Sequence, residues 1–408
     1  MSIATNVWSA DGRDTSRSVE LARSDPRTDM ARRLPAAVQP FLTWLTAKPA
    51  PDESYHAHTP IYHLATAFAW LFTGLGLSIA TLLGPPQLLI VLPVALIVTT
   101  SGLGKLQVSI YHHCSHGTVL RTREANRRLG SALSVFLLIK HFDVYQTEHM
   151  RHHSPKRLFT EEDEFAQFLF DLCGLRPGLP KEELWRRVVF GALFSPGFHL
   201  RFFLRRVQTC LLSHDWVQNC IGSLFWASVI ALAAISGVFL EFSVVWLIPA
   251  IPLFQIATAL RILCEHRFPD RSLLQARDKA FVADATAGVF PGAPVPTRRA
   301  DSLAGLLAWA RWWVGMLTVH LFTRVFVLVG DAPCHDYHHR RPASRRWASY
   351  IHERQKDCDQ GCVGFPANYI DTWGLFEAID GMLESLSAFG AGDGRLQLSQ
   401  ADANPGRF

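Results

Sequence analysis

Residues 61–104 read IYHLATAFAWLFTGLGLSIATLLGPPQLLIVLPVALIVTTSGLG, 44 positions with no Lys, Arg, Asp or Glu. At 1.5 Å rise per residue the block makes about 66 Å of helix, and a bilayer core is about 30 Å thick, so it is long enough to cross twice. A second block, 216–260, runs 45 residues without Lys or Arg and holds one acid, Glu241. Each has a break near its middle where the chain can reverse. In the first this is Gly84-Pro85-Pro86-Gln87, and in the second it is the neighbourhood of Glu241. Proline and glycine stop helices, and an acid is cheap at an interface but costs about 2.5 kcal/mol or more at the bilayer centre. The reading is an all-α integral membrane protein with four spans, 61–83, 88–104, 216–240 and 243–260, in two hairpins.

The rest of the composition agrees. Of 408 residues 49% are hydrophobic and 18% charged, below the usual ~25%, which excludes a disordered or fibrous chain. The net charge of +5 needs no nucleic acid, because basic residues beside spans act as topological anchors. Only seven of the 40 basic residues are Lys, and an Arg-rich surface suits anionic headgroups or the phosphates of a carrier. The eight Cys include no CxxC pair, so they read as reduced thiols, and the first 60 residues lack the apolar core of a cleavable signal. Both reversals lack basic residues, whereas Arg121, Arg123, Arg127 and Arg128 flank one hairpin and Arg261, Arg267 and Arg271 the other. The positive-inside rule then puts both termini and the middle segment in the cytoplasm, with the bacterial inner membrane as the expected location. Stretches 184–212 and 303–330 carry charges through aromatic sequence and read as interfacial helices. The expected organisation is a polar arm over 1–60, a membrane domain over 61–345 and a cytoplasmic tail over 346–408.

Nine of the 18 His fall into three triplets: His112, His113 and His116 in HHCSH; His149, His152 and His153 in HMRHH; His335, His338 and His339 in HDYHH. On a helix, positions i, i+3 and i+4 share a face, so each HxxHH aims three imidazoles one way, and His112 with His116 aims two more. His266, just beyond the fourth span, makes nine candidates when one of His112 and His113 is taken. The i, i+4 spacing to His116 selects His112. Two spans precede the first two clusters and two more separate them from His266 and the third, so even parity returns all of them to one face of the membrane. Nine imidazoles exceed what one ion takes and imply two. Zinc sites usually close with four ligands including Cys, and calcium or magnesium want oxygen, so iron with positions left for a gas molecule fits best.

HHCSH at 112–116, EHMRHH at 148–153 and HDYHH at 335–339 match the HxxxH, HxxHH and HxxHH boxes in order and spacing, and on them the sequence resembles the membrane fatty acid desaturase family with its related di-iron hydroxylases. The resemblance covers roughly 60–345. It implies four spans, a cytoplasmic helical cap holding two ferrous ions, O2 as oxidant and a lipid or acyl-carrier substrate. It also implies electrons from a separate donor such as ferredoxin or cytochrome b5 with its reductase. No HPGG segment or Cys cluster for a built-in donor occurs. Carried over residue by residue, His112, His116, His149, His152, His153, His335, His338 and His339 resemble the iron ligands, and His266 resembles the additional ligand that many members place after the last span. The set of boxes is the desaturase form, with hydroxylation as the alternative outcome on the same scaffold and a membrane metal transporter or sensor as the alternative of another class.

Glu148, Asp143, Glu265 and Asp336 are natural carboxylate partners for the outer nitrogens of ligating His. The acidic run Glu161–Glu164 reads as a solvated face. Trp309, Trp312, Trp313, Phe322 and Phe326 are candidates for the wall of an acyl tunnel, and Arg298, Arg299, Arg340, Arg341, Arg345 and Arg346 for a phosphate-binding rim.

Overall fold

The computed structural model describes residues 25–390. The ends of the expected arm and tail, 1–24 and 391–408, lie outside the described residues. The described residues are mostly helical, and among them four helices are long and apolar enough to cross a membrane, or five if the bent pair Leu303–Val327 and Ala332–Arg340 is one span. Two short helices, α1 (Pro26–Arg33) and α2 (Gln39–Thr46), lead in. The span candidates are α3 (Pro60–Leu83), α4 (Pro86–Ser115), α8 (Trp216–Ile235) and α9 (Phe239–Glu265). Between the pairs lie α5 (Arg123–Leu137), α6 (Phe142–His152) and α7 (Pro196–Leu211). After them come α10 (Leu303–Val327), α11 (His335–Arg340), α12 (Tyr350–Asp359) and α13 (Leu375–Gly390).

Local chemistry sets the boundaries. Thr59 caps α3 ahead of Pro60, and Asp215 caps α8 by accepting from the amides of Val217 and Gln218. The first reversal falls at Gly84 and Pro85. The second falls at Ser236–Val238 rather than at Glu241. Gly237 takes a left-handed φ of +69°, the ending that glycine allows, and Val238 N–H closes the turn onto Ala233 O. Glu241 sits in the first turn of α9. Both later spans overrun their expected ends, α4 through the first histidine box to Ser115 and α9 to Glu265, which places His266 directly on its end.

Helices α3 and α4 lie against each other at backbone distance. A Cβ on Gly102 would stand 2.5 Å from the Leu71 amide, and one on Gly74 would stand 2.3 Å from that of Thr99. Small residues that permit such approach are the usual glue between helices in lipid. By contrast α8 turns Ile221, Leu224, Leu232 and Ile235 outward, each at least 60% exposed. A stripe of that size left uncovered is what lipid would cover.

At the histidine end the later helices fold over the spans. Helix α10 breaks by 82° before the segment that carries the third box. Gly330 makes the bend possible: its φ is +56°, and a Cβ there would meet Ser109 Oγ at 1.9 Å. Residues 346–390, expected as a tail, pack back instead. A parallel strand pair absent from the all-α expectation, β1 (Gly288–Phe290) with β2 (Asp371–Trp373), anchors them. Fully buried Arg354 bonds Asp336 of the third box through Nε (2.9 Å) and Nη2 (2.6 Å), and Asp371 of β2 through Nη2 (2.8 Å). One buried carboxylate, Asp336, and one nearer the surface, Asp371, thus compensate one buried guanidinium and clamp α11 in place.

Candidate metal centre

The first box is set by the end of α4, where Leu106–Tyr111 forms a π-helical turn that runs straight into His112. Such wide turns leave carbonyls free and cluster at functional sites. His112 Nδ1 uses one, the Val108 carbonyl at 3.0 Å, which fixes the ring and turns Nε2 inward. The second box ends α6 and the third is α11, each presenting i, i+3 and i+4 imidazoles on one face.

The structure brings all nine candidate histidines together and divides them. His112, His116, His149, His153 and His338 form one group, and His152, His266, His335 and His339 another, with the nitrogen atoms of each group within 4.8 Å of one another. In the first, Nε2 atoms stand 2.8 Å apart (His112 and His338), 3.0 Å (His116 and His149), 3.0 Å (His149 and His153) and 2.9 Å (His153 and His338). In the second the separations are 3.0 Å (His152 and His266), 3.2 Å (His266 and His335) and 3.0 Å (His335 and His339). Each HxxHH box therefore feeds both groups. Burial, then crowding by neighbouring imidazoles, holds His149, His153, His335, His338 and His339 well below the ordinary imidazole value. Where the facing Nε2 atoms carry no proton, their converging lone pairs repel unless a cation lies between them. Two nitrogens at right angles and about 2.1 Å from one ion stand about 3 Å apart, the separation seen here. The donor set fits an imidazole-ligated transition metal in each group.

This geometry has a counterpart in sequence. The family model described as fatty acid desaturase matches residues 86–348, more than half of the chain, and spans all three boxes. The chain belongs to the fatty acid desaturase family. No curated protein and no solved structure matched it. Membership makes it a membrane-associated oxidoreductase of an iron-using family whose members act on lipids with O2.

Around this desaturase centre the carboxylate partners differ from those expected. Asp143 pairs with Arg127, Glu148 with Lys140, and Asp336 with Arg354, because each has a cation nearer than any imidazole. Glu265 pairs with Arg261 and faces His335 Nδ1 at 3.8 Å. Three further acids meet the histidines. Asp163, fully buried, accepts from His152 Nδ1 at 2.8 Å and from the Phe159 and Phe165 amides at 2.7 and 3.1 Å. Burial alone would lower His152 too, but Asp163 carries it above the ordinary value. Glu164, raised by burial, lies 3.5 Å from His149 Nδ1. Asp331 takes His113 Nε2 at 2.7 Å and Ser109 Oγ at 2.8 Å. His113 itself stacks on Trp347 and joins neither group of nine. A signal for Asp163 existed, since an Asp just before EFAQFLF is a helix-capping pattern, and Asp163 does cap that turn. Nothing local marks Asp331.

One cavity of about 650 Å³ opens onto both groups, touching His112 and His149 of the first and His152 and His335 of the second. Its apolar wall combines aliphatic side chains with Tyr111, Tyr145, Phe165, Phe168, Phe202 and Phe254, and its polar wall includes Lys140, Glu148, Glu164, Arg261 and Glu265. A second, apolar cavity of about 180 Å³ lies between α4, α5, α7, α8 and α9 and shares Phe254 and Arg206 with the first. The aromatic stretch of α10 lines neither. Trp312 packs on Met30, Leu42 and Leu45, and Trp309 lies under Arg33. Arg340 is no rim residue either: it is buried and donates to Ala367 O, Asn368 O and Ala283 O while stacking on Tyr369.

Proposed function

We propose that the nine histidines ligate two irons, five around one and four around the other, and that the chain desaturates a fatty acyl chain or related lipid. The carrying observation is a cavity that touches both groups and sets an apolar wall of aromatic and aliphatic side chains against a polar one. When bound, the paired irons supply activation of O2 to an oxidant able to remove hydrogen from an unactivated C–H bond. Introducing one double bond consumes O2, two electrons and two protons and releases two waters. The electrons come from a separate redox partner of the ferredoxin or cytochrome b5 kind. The chain's residues do the positioning. Asp163 and the Val108 carbonyl hold His152 and His112 in the tautomer that leaves Nε2 free. Phe165, Phe168 and Phe254 keep water from the reacting carbons, and the apolar annex beyond Phe254 takes the chain terminus. Both termini and the histidine end face the cytoplasm of a bacterial inner membrane in this reading, as the arginine-rich flanks favour.

Lipid profiling of cells with and without the protein tests it. A new double bond is expected. A gain of one oxygen instead would make the chain a hydroxylase, and turnover of a small polar metabolite with no lipid change would remove the acyl substrate.

A further inference from the structure

Between the surface and the five-histidine group runs an unbroken file of aromatic rings that the ligand set does not use. Its outer end is Tyr62, 47% exposed, stacked on exposed His58 at 4.2 Å between ring centres and an 8° tilt. Both lie against His63, at 5.4 and 6.2 Å, which is buried and fixed by its Nε2 on the Ala348 carbonyl at 2.7 Å. His63 contacts Trp347 at 5.2 Å. Trp347 is buried and lies flat on His113, 3.9 Å between centres and 6° between planes. His113 in turn stands 4.9 Å from His112 and 5.1 Å from His338. Asp331 and Ser109 hold its ring in that pose.

Two features set this file apart from ordinary core packing. It ends on a surface of flat exposed rings, with Tyr55 stacked on His352 at 4.0 Å nearby and the Arg346 side chain 68% exposed. Aromatic side chains and Arg are the types enriched where proteins dock. The second feature is separation: the file meets the ligating ring of His112 without entering the substrate cavity, whose walls include none of Tyr62, His63, His113 or Trp347. Electron tunnelling decays steeply with the width of the gaps between bonded groups, and closely packed rings keep those gaps small.

We propose that the Tyr62–His63–Trp347–His113 file is the route by which a one-electron donor protein, docked on the exposed Tyr62 and His58 edge, delivers electrons to His112 and His338. This rests on the reading of the nine histidines as iron ligands. Each transfer oxidises the donor by one electron and reduces the metal side by one, and no bond is made or broken. Trp347 acts through His113 and is a positioning residue, not a ligand.

The test uses the full chain carrying Cys220→Ser and His58→Cys, with a ruthenium polypyridyl photosensitiser attached at position 58, so that no natural donor need be known. In metal-free protein, oxidative flash-quenching should produce a tryptophan radical, seen by its visible absorption, and Trp347→Phe should abolish it. In iron-loaded protein with ascorbate as sacrificial donor, light-driven reduction, read as bleaching of the ferric absorption, should slow by an order of magnitude or more in Trp347→Leu and in His63→Leu. Trp347→Phe, which preserves the packed ring, should stay near the parent rate. Equal reduction rates in all variants at equal iron content, or an undiminished radical in Trp347→Phe, would overturn the route. A chain that takes up no iron would defeat the ligand reading while leaving the metal-free measurement to judge the file.

Discussion

The two histidine groups are built from the same boxes yet held differently. The four-histidine group is wholly buried, with His152 pinned to buried Asp163 and His335 facing Glu265. The five-histidine group leaves His116 and His153 half-buried, and its nearest carboxylate, Glu164, stands farther off. One group has no ligand to spare but a firm outer shell, and the other has a ligand in reserve and an open edge. Equivalent residues in sequence therefore should not be equivalent in effect.

The largest contrast should come from the ligands. His266→Ala leaves three imidazoles in the sealed group and should cut turnover by about a hundredfold or more, whereas His116→Ala leaves four in the open group and should cost about tenfold. Equal losses would mean that the two groups share their ligands differently. Next comes the outer shell: Asp163→Asn should weaken one of two metal-binding steps by about 10–100-fold, and Glu164→Gln should do less, given its longer reach. Titration of the metal-free protein resolves the two steps. A gentler contrast is expected in metal removal, where an external chelator should strip metal in two phases, the faster one quickened further in His116→Ala. The smallest effect belongs to Asp331→Asn, which loosens His113 but neither group directly. Metal content should hold and affinity should fall only a few-fold. A loss as deep as that of Asp163→Asn would make Asp331 part of the metal's support.

What could be read from the sequence was whatever depends on near neighbours. Apolar runs and the prolines at 85 and 86 located the helices, and i, i+4 spacing aimed the boxes, because helix geometry is set within a few residues. The allocation of five and four was not legible, since His152 and its sequence neighbour His153 enter different groups through tertiary packing. Three of the four expected acids failed for the same reason, Glu265 alone facing a box histidine. Glu148 and Asp336 sit beside His in sequence, but Lys140 and Arg354 reach them first through the fold. Trp309 and Trp312 looked like a tunnel wall until α1 and α2, from the far end of the chain, covered them. Arg340 looked like a surface cation because nothing in HHRRP signals that 367 and 368 will supply carbonyls to bury it.

Metal analysis of the detergent-purified protein tests the account most directly. Two irons per chain are expected, falling to one in His266→Ala with the open group still loaded. One ion per chain, zinc in place of iron, or two irons retained in His266→Ala would contradict it.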